Sequence, residues 1–401
     1  MLRKSLALKI FEAFSIQRWN DKLRPVELTE MDKHAHKMII AYCLGKYEES
    51  QGKHVDWEKL IEGGIFELLR RVITSDIKSP VYRKIRLSHP EVFNEFNTWV
   101  YNQLLTFVED LAAPFKENLR NYLFHAEEDV DLTKKILEAS HIFSSFWEFQ
   151  ILREAHPNGY QVKEIDKSMH NSMEPYLDLA GMRRIICKEK VSDFIDLCGQ
   201  LRFQIRWGQI PRVPRTSVLG HMLLVAIFTY MFSQEVEPCP KRVYNNFFGA
   251  LFHDLPEVVT RDILSPIKRS VQGMPEVISK IEEELAEEEI FPLLEESWID
   301  EIRYFTKDEF KSKVQLDGEI KNLSSDDINN NYNFDRFNPI DGEYIRLADD
   351  LAAYLEAYVS ANSGISSRQL EEAVNNLQER YRGKMVAGIL IGSLYADFMQ
   401  A

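Results

Sequence analysis

Cysteine is scarce in this chain: four residues in 401 (Cys43, Cys187, Cys198 and Cys239), widely separated and without a CxxC pair. That usage excludes a thiolate zinc cluster and a disulfide framework, and a reducing, cytoplasmic setting is the expectation. Basic charge is also short. Against 63 acidic residues stand 49 Lys and Arg, a formal charge of -14, which works against neutralising a nucleic-acid backbone. No nucleic-acid partner is expected, and a small anionic substrate would need a local basic pocket. Long apolar runs are nearly missing. Residues 216–234 carry no formal charge and approach the length of a membrane span, but the apolar centre, 222–232, is short and His221 opens it. A buried core helix is therefore expected, with no membrane partner. The first ten residues hold Arg3, Lys4 and Lys9 and no small-residue cleavage site, so no signal peptide is read there.

What is present is a chain 45% hydrophobic and 28% charged, enough to bury sizeable cores in two or more domains. Apolar residues recur three and four apart, with few alternating segments and few Gly or Pro inside the patterned runs, so the fold class expected is all-α. Turn formers concentrate in residues 322–342 (NLSSDDINNNYNFDRFNPIDG), which reads as a long surface loop. The acidic run 281–290 (IEEELAEEEI) reads as a solvated helix face.

The chain also resembles itself. Residues 65–81, IFELLRRVITSDIKSPV, align without a gap on residues 251–267, LFHDLPEVVTRDILSPI. The same offset of 186 residues brings Arg18-Trp19 near Arg206-Trp207 and sets His36 and the apolar run after it beside His221 and its own. A weaker island pairs SHIFSSFWEF (140–149) with ADDLAAYLEA (348–357). Two tandem helical domains follow, one over residues 1–185 and one over residues 186–401. Where the second copy has His253-Asp254, the first has Glu67-Leu68; where the second has Asp349, the first has Ser140 or His141. The first copy is therefore read as degenerate, a non-catalytic partner that packs on or shapes the other. A divergent metal site from His34, His36, Glu67 and His141 is the lesser reading.

In the second copy His221 precedes the His253-Asp254 doublet, and Asp349 follows much later, each at the start of or within a helical pattern. Two imidazoles and two carboxylates make a mixed nitrogen and oxygen site suited to one divalent transition metal (Mn, Fe, Co, Ni or Zn) with room for water and substrate. Adjacent side chains on a helix diverge by about 100°. A metal touching both members of the doublet must therefore lie close to the backbone between them. Asp350, next to Asp349, is an alternative ligand.

The string GALFHDLPEVVTRDILSPIK, preceded by RTSVLGHMLLVA and followed by LADDLAAYLEA, resembles the HD-domain metal-dependent phosphohydrolases, and among them the bacterial 5'-deoxynucleotidases. The resemblance implies that His221, His253, Asp254 and Asp349 are metal ligands. It also implies that Glu257 handles the proton of the attacking water and that Asp262 protonates the departing ribose oxygen. Arg206 would clamp the phosphate, with Trp207 beside sugar or base. The implied reaction is hydrolysis of a nucleoside 5'-monophosphate to nucleoside and phosphate. Rival readings are attack on a phosphodiester or polyphosphate, alarmones included, and a regulatory nucleotide binder without turnover. Gly220 and Leu219 depart from the polar residues that often precede the first histidine. Relatives are often dimers, so a homodimer is expected unless the duplication satisfies the same packing within one chain.

Overall fold

The computed structural model describes residues 1–75, 77–124, 131–261 and 271–399. The first half carries helices α1 (Lys4–Phe11), α2 (Glu30–Ser50), α3 (Trp57–Ile73), α4 (Ser79–Ser88), α5 (Pro90–Val108), α6 (Ala113–Phe124), α7 (Leu132–Ala155), α8 (Val162–Met173) and α9 (Ala180–Ile186). The second half carries α10 (Lys190–Gln200), α11 (Val218–Ser233), α12 (Pro240–Phe252), α13 (Glu257–Thr260), α14 (Met274–Leu285), α15 (Glu296–Thr306), α16 (Gly342–Asn362), α17 (Arg368–Tyr381) and α18 (Ile391–Met399). The all-α expectation holds with one addition. A hairpin of β1 (Lys313–Leu316) and β2 (Glu319–Asn322) pairs antiparallel, with Leu316 opposite Glu319. Asp317 and Gly318 both take positive φ (52° and 83°) at its turn, the backbone that a two-residue Asp-Gly hairpin requires.

Helices α2 and α11 pack against each other at the centre. Every residue of α11 is buried, which explains why its sequence is apolar all round where a surface helix shows a stripe. The stretch long enough to cross a membrane, Val218–Val236, is thus a core helix with 89% of its apolar window buried. One continuous hydrophobic core runs through both halves. Tyr42 of α2 packs on Phe248 and Phe252 of α12, each at 5.1 Å, and donates to Glu301 of α15 at 2.7 Å. Tyr230 of α11 donates to Glu62 of α3 at 2.8 Å.

The halves repeat each other in detail at the entry to α2 and α11. Gln17 bridges Thr29 as Ile205 bridges Ser217. Thr29 caps α2 by accepting from Asp32 N, and Ser217 caps α11 by accepting from Gly220 N. Trp19 and Trp207 share a left-handed backbone, φ 55° and 58°. All these pairs lie 188 residues apart, and so the counterpart of His221 is Lys33, not the expected His36. The sequence pairing slid by three residues because apolar residues follow both histidines. Downstream, Trp19 and Trp207 donate to Glu148 and Glu356 respectively. That equivalence sets His141, and not Ser140, opposite Asp349.

One expectation about loops changes. Residues 322–342 are irregular but not merely a surface loop: Ile328, Ile340 and Asp341 are fully buried, and Asp341 holds the buried Arg242 guanidinium at 2.7 Å. The acidic run behaves as expected, mostly exposed, with Ala286 and Ile290 turned inward.

Candidate metal centre and substrate site

Three segments deliver the ligand set. His221 lies in the first turn of α11, held by the Ser217 cap. The doublet sits one step beyond expectation: α12 ends at Phe252, and His253-Asp254 occupy the turn that follows. His253 Nδ1 meets the Ala250 carbonyl at 2.7 Å, which aims Nε2 inward. Asp349 lies on the inner face of α16.

The donor atoms converge. His221 Nε2 is 3.1 Å from Asp349 Oδ1 and 3.7 Å from Asp254 Oδ2, and His253 Nε2 is 3.2 Å from Asp254 Oδ2. His221, His253 and Asp349 have ligand atoms within 4.8 Å of one another, the one such group among the described residues. Both Nε2 atoms are buried and make no hydrogen bond, while the Asp254 and Asp349 side chains are 19% and 26% exposed, so the cluster opens to solvent on its carboxylate side. Buried imidazole lone pairs facing two carboxylates fit a divalent ion. The electrostatics point the same way. Burial disfavours charge throughout, yet Asp254 and Asp349 raise the His253 imidazole to a pKa of about 9, and the imidazoles hold both carboxyls below their ordinary range. Asp350 points elsewhere, to Tyr381 at 2.5 Å and Arg380 at 2.8 Å, so Asp349 and not Asp350 faces the two histidines.

Arg206 Nη1 stands 3.6 Å from Asp254 Oδ2, at the edge of the cluster. Its Nε and the Trp207 indole nitrogen both donate to Glu356, at 3.3 and 2.7 Å. Glu356 was not singled out from the sequence. It follows Asp349 by seven residues, two turns along the same face of α16, and accepts from Thr216 at 2.6 Å. Burial works against its charge, but Arg206 and Arg212 bring its pKa down to about 2. The signal was present, since Glu148 occupies the same place in the first copy. Glu257 opens α13 on the far side of the doublet turn, its side chain buried; Pro256 ends that turn and does not kink a continuous helix. Asp262 lies outside the described residues. Phe310 shields the other side, its ring 6.2 Å from that of His253 and 4.0 Å below the Arg346 guanidinium. Beyond it opens a cavity of about 260 Å³ lined in part by Arg346, Arg380 and Lys384.

The first copy gathers no comparable ligand group among the described residues. His36 is turned to the Ile195 carbonyl and Arg202, and His34 to Glu30.

Residues 198–378 match the HD domain family model, and residues 9–179 match that of the 5'-deoxynucleotidase YfbR-like family. The more specific match falls on the half without the doublet. No curated protein and no solved structure matches the chain. HD domains bind divalent metals, and with one family model matching each half and the histidine and aspartate cluster lying in the second, the chain is consistent with an HD-domain phosphohydrolase that resembles the 5'-deoxynucleotidases.

Proposed function

We propose that the second half hydrolyses phosphomonoesters of nucleosides, taking nucleoside 5'-monophosphates as substrates. The observation that carries this reading is the pairing of two buried imidazoles and two part-exposed carboxylates with a guanidinium, Arg206, 3.6 Å from one of those carboxylates. A divalent transition metal held by His221, His253, Asp254 and Asp349 supplies a Lewis acid that lowers the pKa of water and polarises a phosphoryl oxygen. The residues supply the rest. Arg206 pairs with the equatorial phosphate oxygens, a geometry its planar fork suits. Glu356 fixes both Arg206 and Trp207, so that phosphate and nucleoside are located by one buried carboxylate. Glu257, one turn past the doublet, takes the proton of the attacking water, and Asp262 returns one to the departing ribose oxygen.

Mn, Co, Fe, Ni and Zn all suit the donor set. Every residue in this scheme comes from one chain, so a homodimer is not needed to complete it. The proposal places the boundary of the halves at 185/186, at the C-terminal end of α9, and the activity in the cytoplasm, where the four free cysteines would stay reduced. The test is phosphate release from deoxy- and ribonucleoside monophosphates by metal-stripped protein reloaded with each metal, beside His253→Ala. Metal-dependent release lost in the variant supports the reading. Release from diesters or polyphosphates alone would replace it with the rival chemistry.

A further inference from the structure

The first half is more than a site with its ligands worn away. Lys33 stands at the place of His221, Glu67 at that of His253, Leu68 at that of Asp254 and His141 at that of Asp349. Its Nζ lies 2.6 Å from His141 Nδ1 and 3.4 Å from Glu67 Oε1, and Glu67 Oε1 in turn lies 2.5 Å from His141 Nδ1. Lys37, one turn on, also donates to Glu67. Lys33 and Lys37 are buried, 1% and 0% exposed. An ammonium group thus sits among the side chains from α2, α3 and α7 that correspond to the ligands from α11, the doublet turn and α16.

The surroundings have changed to suit a fixed internal cation. Loss of the Asp254 carboxylate to Leu68 removes one negative charge that a divalent ion would require. At the sequence position of Glu257 stands Arg71, which pairs with Glu30 at 2.6 Å. Arg18, the counterpart of Arg206, is held by Glu30 at 3.0 Å and Glu148 at 2.7 Å; at the place of Glu30 the second half has Val218, and Arg206 reaches a ligand carboxylate instead. Arg18 is held by two carboxylates, Glu30 and Glu148, whereas Arg206 is held by Glu356 and also reaches the cluster at Asp254.

We infer that the Lys33 ammonium is a built-in substitute for the metal, so that the first half takes no divalent ion and keeps α2, α3 and α7 joined whether or not the second half is loaded. Two buried cations beside one carboxylate repel a divalent ion, and the lysine already provides the bridging charge that a metal would bring. This rests on the assignment of the metal to the second half for its comparison, but not for its own test.

That test measures metal content per chain after stripping and reloading with Mn, Co or Zn, in the wild type and His253→Ala, together with thermal melting of the metal-free wild type, Lys33→Met and Lys33→Arg. One ion per chain in the wild type and none in His253→Ala is expected. Metal-free Lys33→Met should melt several degrees lower, with Lys33→Arg closer to the wild type, because Glu67 loses a buried partner. Two ions per chain, or one that persists in His253→Ala, would overturn the inference, as would unchanged melting of Lys33→Met. No ion in the wild type with Lys33→Met destabilised would instead overturn the metal centre proposed for the second half and leave the role of Lys33 standing.

Discussion

At the scale of single residues, the decisive contrast is between carboxylates that are held charged and those that burial resists. Glu356 belongs to the first kind. It touches no reacting atom in the proposed chemistry and acts by positioning Arg206 and Trp207. Glu356→Gln keeps the shape but loses the charge, so kcat/KM for nucleoside monophosphates is expected to fall about 10- to 100-fold. A rise in KM larger than the fall in kcat would mark a substrate-positioning role, and steady-state kinetics on the folded variant checks it. Glu62 belongs to the second kind. Burial, only partly offset by Tyr230 and Asn118, pushes its carboxyl up to about 7. A carboxyl with a folded pKa above its unfolded one favours folding most below the unfolded value, and that contribution is lost as pH rises through the folded value. Between pH ~4.5 and ~7 the wild type should therefore lose on the order of 2–3 kcal/mol relative to Glu62→Gln. Urea unfolding of both proteins across that range measures the difference, and parallel curves would dismiss the effect.

At the scale of elements, the ligand helices are set by close approaches that leave no room for a side chain. Gly342 starts α16, the helix of Asp349, and a Cβ there would lie 2.3 Å from the backbone of Phe310 and Lys311. Backbone cannot swing aside as a side chain can, so Gly342→Ala is expected to cost more than about 2 kcal/mol, seen as a lower urea midpoint. Gly220 explains its own departure from the polar pattern: an added Cβ would meet Phe14 at 2.5 Å and the Asp32 carboxylate at 3.0 Å. Asp32, in the first turn of α2, accepts from Ser217, the cap of α11. The degenerate half thereby braces the helix that carries His221. Asp32→Asn should weaken metal binding about tenfold with little change in melting temperature. Titration calorimetry on stripped protein would show it, and an unchanged Kd would mean that α11 needs no such brace.

At the scale of the molecule, the halves cannot be parted without exposing their shared core. Tyr42 and Trp57 of the first half pack among Tyr244, Phe248 and Phe252 of the second, with Trp57 5.0 Å from Tyr244. Residues 186–401 expressed alone would present that apolar face to water, and are expected to aggregate or to unfold without a cooperative transition, whereas the full chain should show one. A soluble, cooperatively folding fragment, assayed by calorimetry, would show that the first half is dispensable to the fold.

Much of this could be read in the sequence because helical periodicity, the doublet and the self-similarity of residues 65–81 and 251–267 are local patterns that do not depend on distant contacts. The second-half ligand candidates, the all-α class and the duplication came from such patterns. The Asp-Gly hairpin at residues 317 and 318 is an equally local signal, carried by one dipeptide between two short strands in a chain otherwise patterned as helix. What the linear chain could not decide was which residues oppose one another across the halves. Apolar runs follow both His36 and His221 and do not fix the register, and the paired bridges, caps and left-handed tryptophans at the entries to α2 and α11 single out Lys33 as the counterpart of His221. Glu356 likewise gains meaning only when α16 is packed beside the Arg206 turn. Burial, close approach and the fate of each charge depend on residues far apart in the chain, and these the tertiary structure alone decided.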